Sequence, residues 1–333
     1  MSKYEIRDVN DFDIWDALVR DSECGTIFSS HHYLQAVDRK YRLFFIYKGS
    51  EIKAGVSLML SEDEKSCELD DLVIYNGILF QNDSTKKEIK SRLERFDITS
   101  FAIEEFERKY NRITMRLSPP FEDMRPFLWH NYHSSNPLDK FKIDLRYTSC
   151  VNISSLVRDQ QEEETVLFQS METLRQRNIR EARKDGAIVK EENQVSLFIA
   201  FYRDLMFQQN ETVQQSKLDR MRSLIETLLK EKLAIMTVSF NSSGGILYAT
   251  IYGLDNKRAY YLFGAGNLNA EERYKGTITF WDSFKILSKK YGIKEIDMEG
   301  VNSPKRGWFK LSFGGDIRPY FLVDRRRDNS AKC

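Results

Sequence analysis

Two carboxylates, Asp297 and Glu299, close the apolar stretch Ile296-Asp297-Met298-Glu299-Gly300, and Trp308-Phe309-Lys310-Leu311-Ser312-Phe313 follows soon after. Positions two apart on a strand share a face, so the two carboxylates are expected to project together, with Met298 opposite. Held close, they raise each other's proton affinity, which suits a base working near neutral pH; alternatively, one of them pairs with Arg306 or Lys310. Phe309 and Phe313 are four apart and share one buried face. Lys310 therefore admits two readings. Its stem packs on the rings while the ammonium reaches water, or the ammonium is aimed into a cleft at an anion.

A second charged stretch is Ser170 to Lys190, SMETLRQRNIREARKDGAIVK, in which five of the ten residues from Arg175 to Lys184 are basic. Gly186 is expected to terminate its helix. The run reads either as a solvated face with Glu172 and Glu181 as local partners or as a phosphate-binding surface. Other catalytic patterns are missing: there is no GxSxG elbow and no GxxxxGK[ST] loop. The four histidines, His31, His32, His130 and His133, have no companion motif and are expected to be structural or exposed. Cys24, Cys67, Cys150 and Cys333 form no CxxC pair, so reduced thiols and no structural metal are expected.

The elements that would position these residues come in a repeated order. After helical DFDIWDALVRD and TIFSSHHYLQAV, the stretches YRLFFIYKG and IKAGVSLMLSED read as a strand pair. DLVIYNGILF is a further strand, TKKEIKSRLERFDITSFAIEEFERKY a helix and ITMRLS a strand. The second half repeats this with LAIMTVSFN, GILYATIYGLD, RAYYLFGAG, the amphipathic TITFWDSFKILSKKYG and IKEIDMEG. This order implies a mixed α/β fold, duplicated. Between the halves, a connection holding four of the six prolines runs into a strand, with the boundary near Tyr147 to Asn152. A length of 333 residues with 41% hydrophobic and 30% charged residues is that of two ordered domains, and the net charge of +1 argues against a strong overall field for nucleic acid. The start lacks a signal-peptide pattern and no long apolar run occurs, so a cytoplasmic protein without membrane insertion is expected.

Five patterns, in order along the chain, resemble the FemABX family of peptidoglycan-bridge aminoacyltransferases and the broader FemAB-like acyltransferases built from two GNAT domains. They are GTIFSSHHYL, AGVSLML, SPPFEDMRPFLW, RQRNIREARKDGAIV, and DMEG with RGWFKLSFGG. The resemblance implies an α/β (α+β) fold of two tandem GNAT-like domains with mixed sheets flanked by helices. They would comprise residues 1–149 and 150–316, with the tail 317–333 packing on the first. It implies acyl transfer to an amine, which requires a neutral amine, a route for its proton and stabilisation of an oxyanion. The lysine of the family's FKxxFG motif falls at Lys310, with Asp297 or Glu299 as proton acceptor. Arg306 is a second anion contact, and Phe309 and Tyr261 are substrate contacts.

A GNAT donor's pyrophosphate binds where a loop enters a helix, at Arg or Gln, two residues, Gly, one residue, then Gly or Ala. Here that loop is Arg273-Tyr274-Lys275-Gly276-Thr277-Ile278, making Arg273, Lys275, Gly276 and Thr277 donor-binding candidates. Ile278 departs from the pattern and would obstruct a phosphate if the helix began there; Thr277 could instead cap the helix. The donor is an acyl-CoA or, alternatively, an aminoacyl-tRNA whose acceptor stem meets Arg180 and Arg183. No metal is implied. The acceptor is a small molecule or glycan precursor of the cell envelope. Lys40 near the first family segment and Arg203 in FYRDLMFQQNETVQQ are its candidate contacts. The latter stretch lacks the family's arginine, which makes an amino sugar on a nucleotide carrier as good a candidate as a muropeptide. A ligand-binding protein that keeps the fold without the chemistry is the third reading.

Overall fold

The computed structural model describes residues 3–83, 85, 87–158 and 161–326, and the chain divides into two compact units, Met1–Arg146 with Pro319–Cys333, and Tyr147–Arg318. Cys333 and the rest of the expected tail beyond Arg326 lie outside the described residues.

The first unit opens with β1 (Glu5–Asp8) and α1 (Phe12–Asp21), which Asp11 caps by accepting from the N–H groups of Asp13 and Ile14. Helix α2 (His31–Val37) starts at Ser30, whose Oγ accepts from the Tyr33 N–H at 3.3 Å. The hairpin of β2 (Tyr41–Lys48) and β3 (Glu51–Leu60) turns over Lys48-Gly49-Ser50. Strands β4 (Cys67–Glu68) and β5 (Gly77–Phe80) also pair antiparallel with β3. Helix α3 (Glu88–Lys109), β6 (Arg112–Leu117) and α4 (Arg125–Trp129) complete this stretch.

The strand expected over DLVIYNGILF shrinks to β5. Asn76 takes Arg116 as partner instead of a β3 residue, its N–H bonding the Arg116 carbonyl at 2.8 Å and its Oδ1 accepting from the Arg116 N–H at 2.7 Å. Gly77, the first residue of β5, follows at φ 106°, a conformation that a side chain would oppose.

Strand β7 (Lys142–Asn152) carries the chain into the second unit. There it continues through α5 (Val166–Ser170), α6 (Thr173–Lys184), β8 (Ile188–Glu191), α7 (Val195–Gln208) and α8 (Gln215–Lys230). Strands β9 (Ala234–Phe240), β10 (Ile246–Leu254) and β11 (Ala259–Gly266) then lead to α9 (Lys275–Tyr291), β12 (Glu295–Asp297) and α10 (Pro304–Leu311). Strand β13 (Asp316–Arg326) leads back to the first unit, where it pairs antiparallel with β6. In the second unit the strand order is β7-β12-β11-β10-β9-β8, and only β11 and β12 run parallel. Each unit thus has an antiparallel hairpin, a third antiparallel strand, a long helix and a further strand, the duplicated order that the sequence implies.

Helix α9 is the central packing element of the second unit, with Phe280, Trp281, Phe284 and Leu287 fully buried. Hydroxyls tie its inner face to the sheet: Thr237 Oγ1 lies 2.6 Å from both Ser283 Oγ and Thr250 Oγ1, and Thr279 donates to Ser239 Oγ at 2.7 Å. Trp281 meets Phe168 of α5 edge to face. Replacing Trp281 by alanine is expected to cost about 3–5 kcal/mol through lost transfer energy and the cavity left behind. Urea unfolding of Trp281→Ala, followed by circular dichroism, measures this; an unshifted midpoint would remove α9 from the centre of the core.

Candidate functional site

Parallel pairing of β11 with β12 lasts for two residue pairs, Ala259 with Ile296 and Tyr260 with Asp297. Strand β12 then ends while β11 runs on to Gly266, so the ladder stops there and the two strands part. Asp297 stands at that point, fully buried. Its Oδ1 accepts from the Thr148 hydroxyl on β7 at 2.5 Å and from the Glu299 N–H at 2.8 Å.

The second of these bonds turns the chain, and Glu299 adopts φ 55°. The pair of carboxylates is therefore not presented by a continuing strand, as strand alternation would have it. Asp297 is the last strand residue and Glu299 lies in a left-handed turn that its neighbour's carboxylate holds. Residues 298–302 are laced to β7 beyond this: the Met298 N–H bonds the Ser149 carbonyl at 2.8 Å, the Val301 N–H bonds the Tyr147 carbonyl at 2.9 Å, and Asn302 takes both backbone groups of Tyr147. Helix α10 packs directly on this turn. A Cβ on Gly307 would stand 2.3 Å from the Val301 carbonyl oxygen, so glycine is what permits the approach.

Helix α10 and the turn after it present Phe309 and Phe313 to Phe280 of α9, at centroid distances of 5.3 Å each, with Phe313 stacked parallel. Lys310, between them in sequence, is half-buried; its Nζ donates to the Gly300 carbonyl at 3.3 Å and lies 5.1 Å from the centroid of the Tyr261 ring. Burial lowers its pKa, and the attraction of Glu299 and then Asp297 only partly offsets this. The phenol of Tyr261 is hydrogen-bonded to that of Tyr248. Burial raises its pKa well above the ordinary tyrosine value, so Tyr261 stays a neutral donor. Asp297, Glu299, Lys310, Tyr261 and Phe309 are thus brought together. Arg306 is exposed on α10, and its charge acts on Lys310 in the opposite sense to the carboxylates.

The loop candidates are placed differently from one another. Helix α9 starts at Lys275, three residues before Ile278, and Ile278 is fully buried in the core, so it does not obstruct the helix N-terminus as the sequence pattern suggested. Thr277 is not a cap. Its buried Oγ1 accepts from Arg175 Nη1 at 2.8 Å and Asn178 Nδ2 at 3.3 Å, docking α6 onto α9. Lys275 donates to the carbonyls of Asn267 and Ala270 at 2.7 Å each and so closes the loop on itself. Arg273 is exposed, and Gly276 faces the rings of Phe309 and Tyr248.

Arg183 is held by two carboxylates, Glu162 and Asp282, and Arg180 lies over Phe168 with its Nε 3.4 Å from Glu163. Arg203 is exposed beside Asp204 on α7. Lys40, in the first unit, donates to the Glu62 carbonyl at 2.6 Å and pairs with Glu64. Three contributors were not singled out from sequence: Thr148, Tyr248 and, within the basic run, Arg175, whose guanidinium lies 5.0 Å from the Phe309 centroid. Among the described residues no helix is long and apolar enough to cross a membrane.

The cluster around Arg183 has a measurable signature. Burial alone would raise the Glu162 carboxyl, but hydrogen bonds from Arg183 and Lys285 outweigh it and hold its pKa at about 2, below the usual 4.5. A depressed folded-state pKa contributes stability that is present above the unfolded value and lost as pH falls through the folded one. Stability is therefore expected to drop between about pH 4.5 and about pH 2, and Glu162→Gln should flatten that part of the curve. Urea midpoints recorded across this range check it; identical slopes for the two proteins would exclude the linkage.

No family model matches the chain, and no curated protein matches it. Its fold is nonetheless shared with solved structures. FemX superposes with a TM-score of 0.65 at 12% identity, over 95% of this chain and 96% of that one. A tandem GNAT protein from the clavulanic acid biosynthesis pathway gives 0.53 at 9% identity, over 98% and 99%. L-PGS from Bacillus licheniformis gives 0.53 at 11% identity, over 97% and 93%. The chain has the tandem GNAT-like fold.

Proposed function

We propose that this tandem GNAT-like protein is an N-acyltransferase whose second unit moves an acyl group from a thioester donor to an amine. The observation that carries the reading is a half-buried lysine within electrostatic reach of two buried carboxylates where β11 and β12 part. A neutral amine attacks the donor's carbonyl carbon and the carbonyl oxygen becomes an oxyanion. Lys310 donates to that oxygen in a site where water is largely excluded and a charge interaction is correspondingly strong. Glu299 accepts the proton that the attacking nitrogen loses, while Asp297 holds the turn that aims it. Collapse of the tetrahedral intermediate forms the amide C–N bond and breaks the C–S bond; the thiolate leaves and takes up a proton.

The likeness to FemX and to a tandem GNAT protein supports the fold-level part of this reading, and the acceptor class follows the resemblance: an amine of a cell-envelope or sugar-nucleotide precursor. A thioester donor is favoured over aminoacyl-tRNA by one feature of α6. One of the two arginines expected to meet an acceptor stem there, Arg183, is already saturated by Glu162 and Asp282. In the alternative reading an aminoacyl ester replaces the thioester and the C–O bond breaks instead.

Native mass spectrometry of the purified protein with acetyl-CoA, and separately with charged and uncharged tRNA, tests the donor. A coenzyme A adduct is expected; a complex with charged tRNA alone would replace the thioester by the ester. With the donor in hand, Lys310→Met should lower turnover by about 10²–10³-fold, the effect of losing one oxyanion donor, with donor binding retained. Turnover unchanged in Lys310→Met would remove Lys310 from the transfer step, and donor binding without turnover in the parent protein would leave the fold as a ligand-binding scaffold.

A further inference from the structure

The first unit holds a cavity of about 560 Å³, within the size range of small-molecule sites, between the N-terminal half of α3 and the segment leading into α4. Its floor is aromatic: Phe80 and Phe121 stack at 5.5 Å with an interplanar angle of 25°. Its walls carry charges of both signs. Arg92 is bonded to Glu88 at 3.0 Å, and Arg125 grips Asp123 through two nitrogens at 2.8 and 2.6 Å. Arg95 differs. It lies over the Phe80 ring at 5.5 Å, and its nearest carboxylate, Glu23, is 3.6 Å away, beyond hydrogen-bond reach. None of the α3 residues from Glu88 to Asp97 is buried, and Glu88, Arg92 and Arg95 among them line the cavity.

We infer that this cavity binds a small zwitterion, an amino acid or a short peptide with both termini free. A ligand with a single charge would separate Arg95 from Glu23 and satisfy only one of them. A ligand with both charges exchanges partner for partner: its carboxylate takes the Arg95 guanidinium, its ammonium takes Glu23, and its apolar part covers Phe80 and Phe121. The pair opens at little cost because no hydrogen bond joins it, and each new contact is a charge-assisted one. Every residue involved belongs to the first unit, and none belongs to the proposed transfer site, so the inference stands or falls separately from that function.

Isothermal titration of the full chain with single L-amino acids and with di- and trialanine tests it. Saturable binding of one of these classes is expected; binding of free amino acids alone marks an amino-acid site, and binding of the peptides a peptide site. The N-acetylated and the C-amidated forms of the bound compound should each bind at least about tenfold more weakly, since each lacks one of the exchanged charges. Arg95→Gln and Glu23→Gln should weaken it to the same extent, while Lys310→Met should leave it unchanged. No binding at millimolar concentrations, equal binding of the blocked forms, or binding indifferent to both Arg95→Gln and Glu23→Gln would overturn the inference.

Discussion

The candidate site depends on one buried carboxylate. An ionised aspartate removed from water is costly unless hydrogen bonds replace its hydration, and Asp297 takes these from the Thr148 hydroxyl and the Glu299 N–H. The two bonds do different things. The first fastens the end of β12 to β7 across most of the second unit's sequence. The second holds Glu299 in a left-handed conformation that costs a non-glycine residue about 1 kcal/mol or more, and such strain persists only where its surroundings over-determine it. Without the carboxylate at 297 the turn would relax and Glu299 would lose its aim.

The same logic governs Lys310. Burial works against its charge more strongly than Glu299 and Asp297 work for it, so the ammonium is less stable than it would be in water. The aromatic seat makes this sustainable. Phe309 and Phe313 fix α10 on Phe280, the Tyr261 face attracts the cation, and the Gly300 carbonyl accepts one of its hydrogens. A negative charge that develops beside it is therefore stabilised by a cation already stripped of much of its water, with little reorganisation left to occur.

Much of this was legible in the sequence because it is local. The order of strands and helices follows from periodicity, and the shared face of Phe309 and Phe313 from their spacing. What escaped was set at long range. Thr148 lies 149 residues from Asp297, and nothing near it marks it as a partner. The start of α9 was misplaced because Tyr274, at its N-cap, offers no side-chain bond, so no capping residue announces the first turn. Strand alternation misread Glu299 for a related reason: a tertiary hydrogen bond, not the strand, sets its backbone.

The basic run of α6 shows why a cluster of like charges in sequence is a poor guide to a binding surface. Helical geometry distributes it over different faces. Asn178, Ile179 and Ala182 turn inward, and Arg175 goes with them to reach Thr277 and Phe309. Arg177, Arg180 and Lys184 face outward, and Arg183 is enclosed by carboxylates contributed from Glu162 and α9. Of five cations in ten residues, one is structural cement and one approaches the aromatic seat beside Lys310. A site for an anionic ligand is defined less by how many cations the chain carries nearby than by which of them the fold leaves without a carboxylate of their own. By that measure Arg175, which goes to Thr277 and the Phe309 ring rather than to a carboxylate, is a better guide to the aromatic seat beside Lys310 than the enclosed Arg183 is.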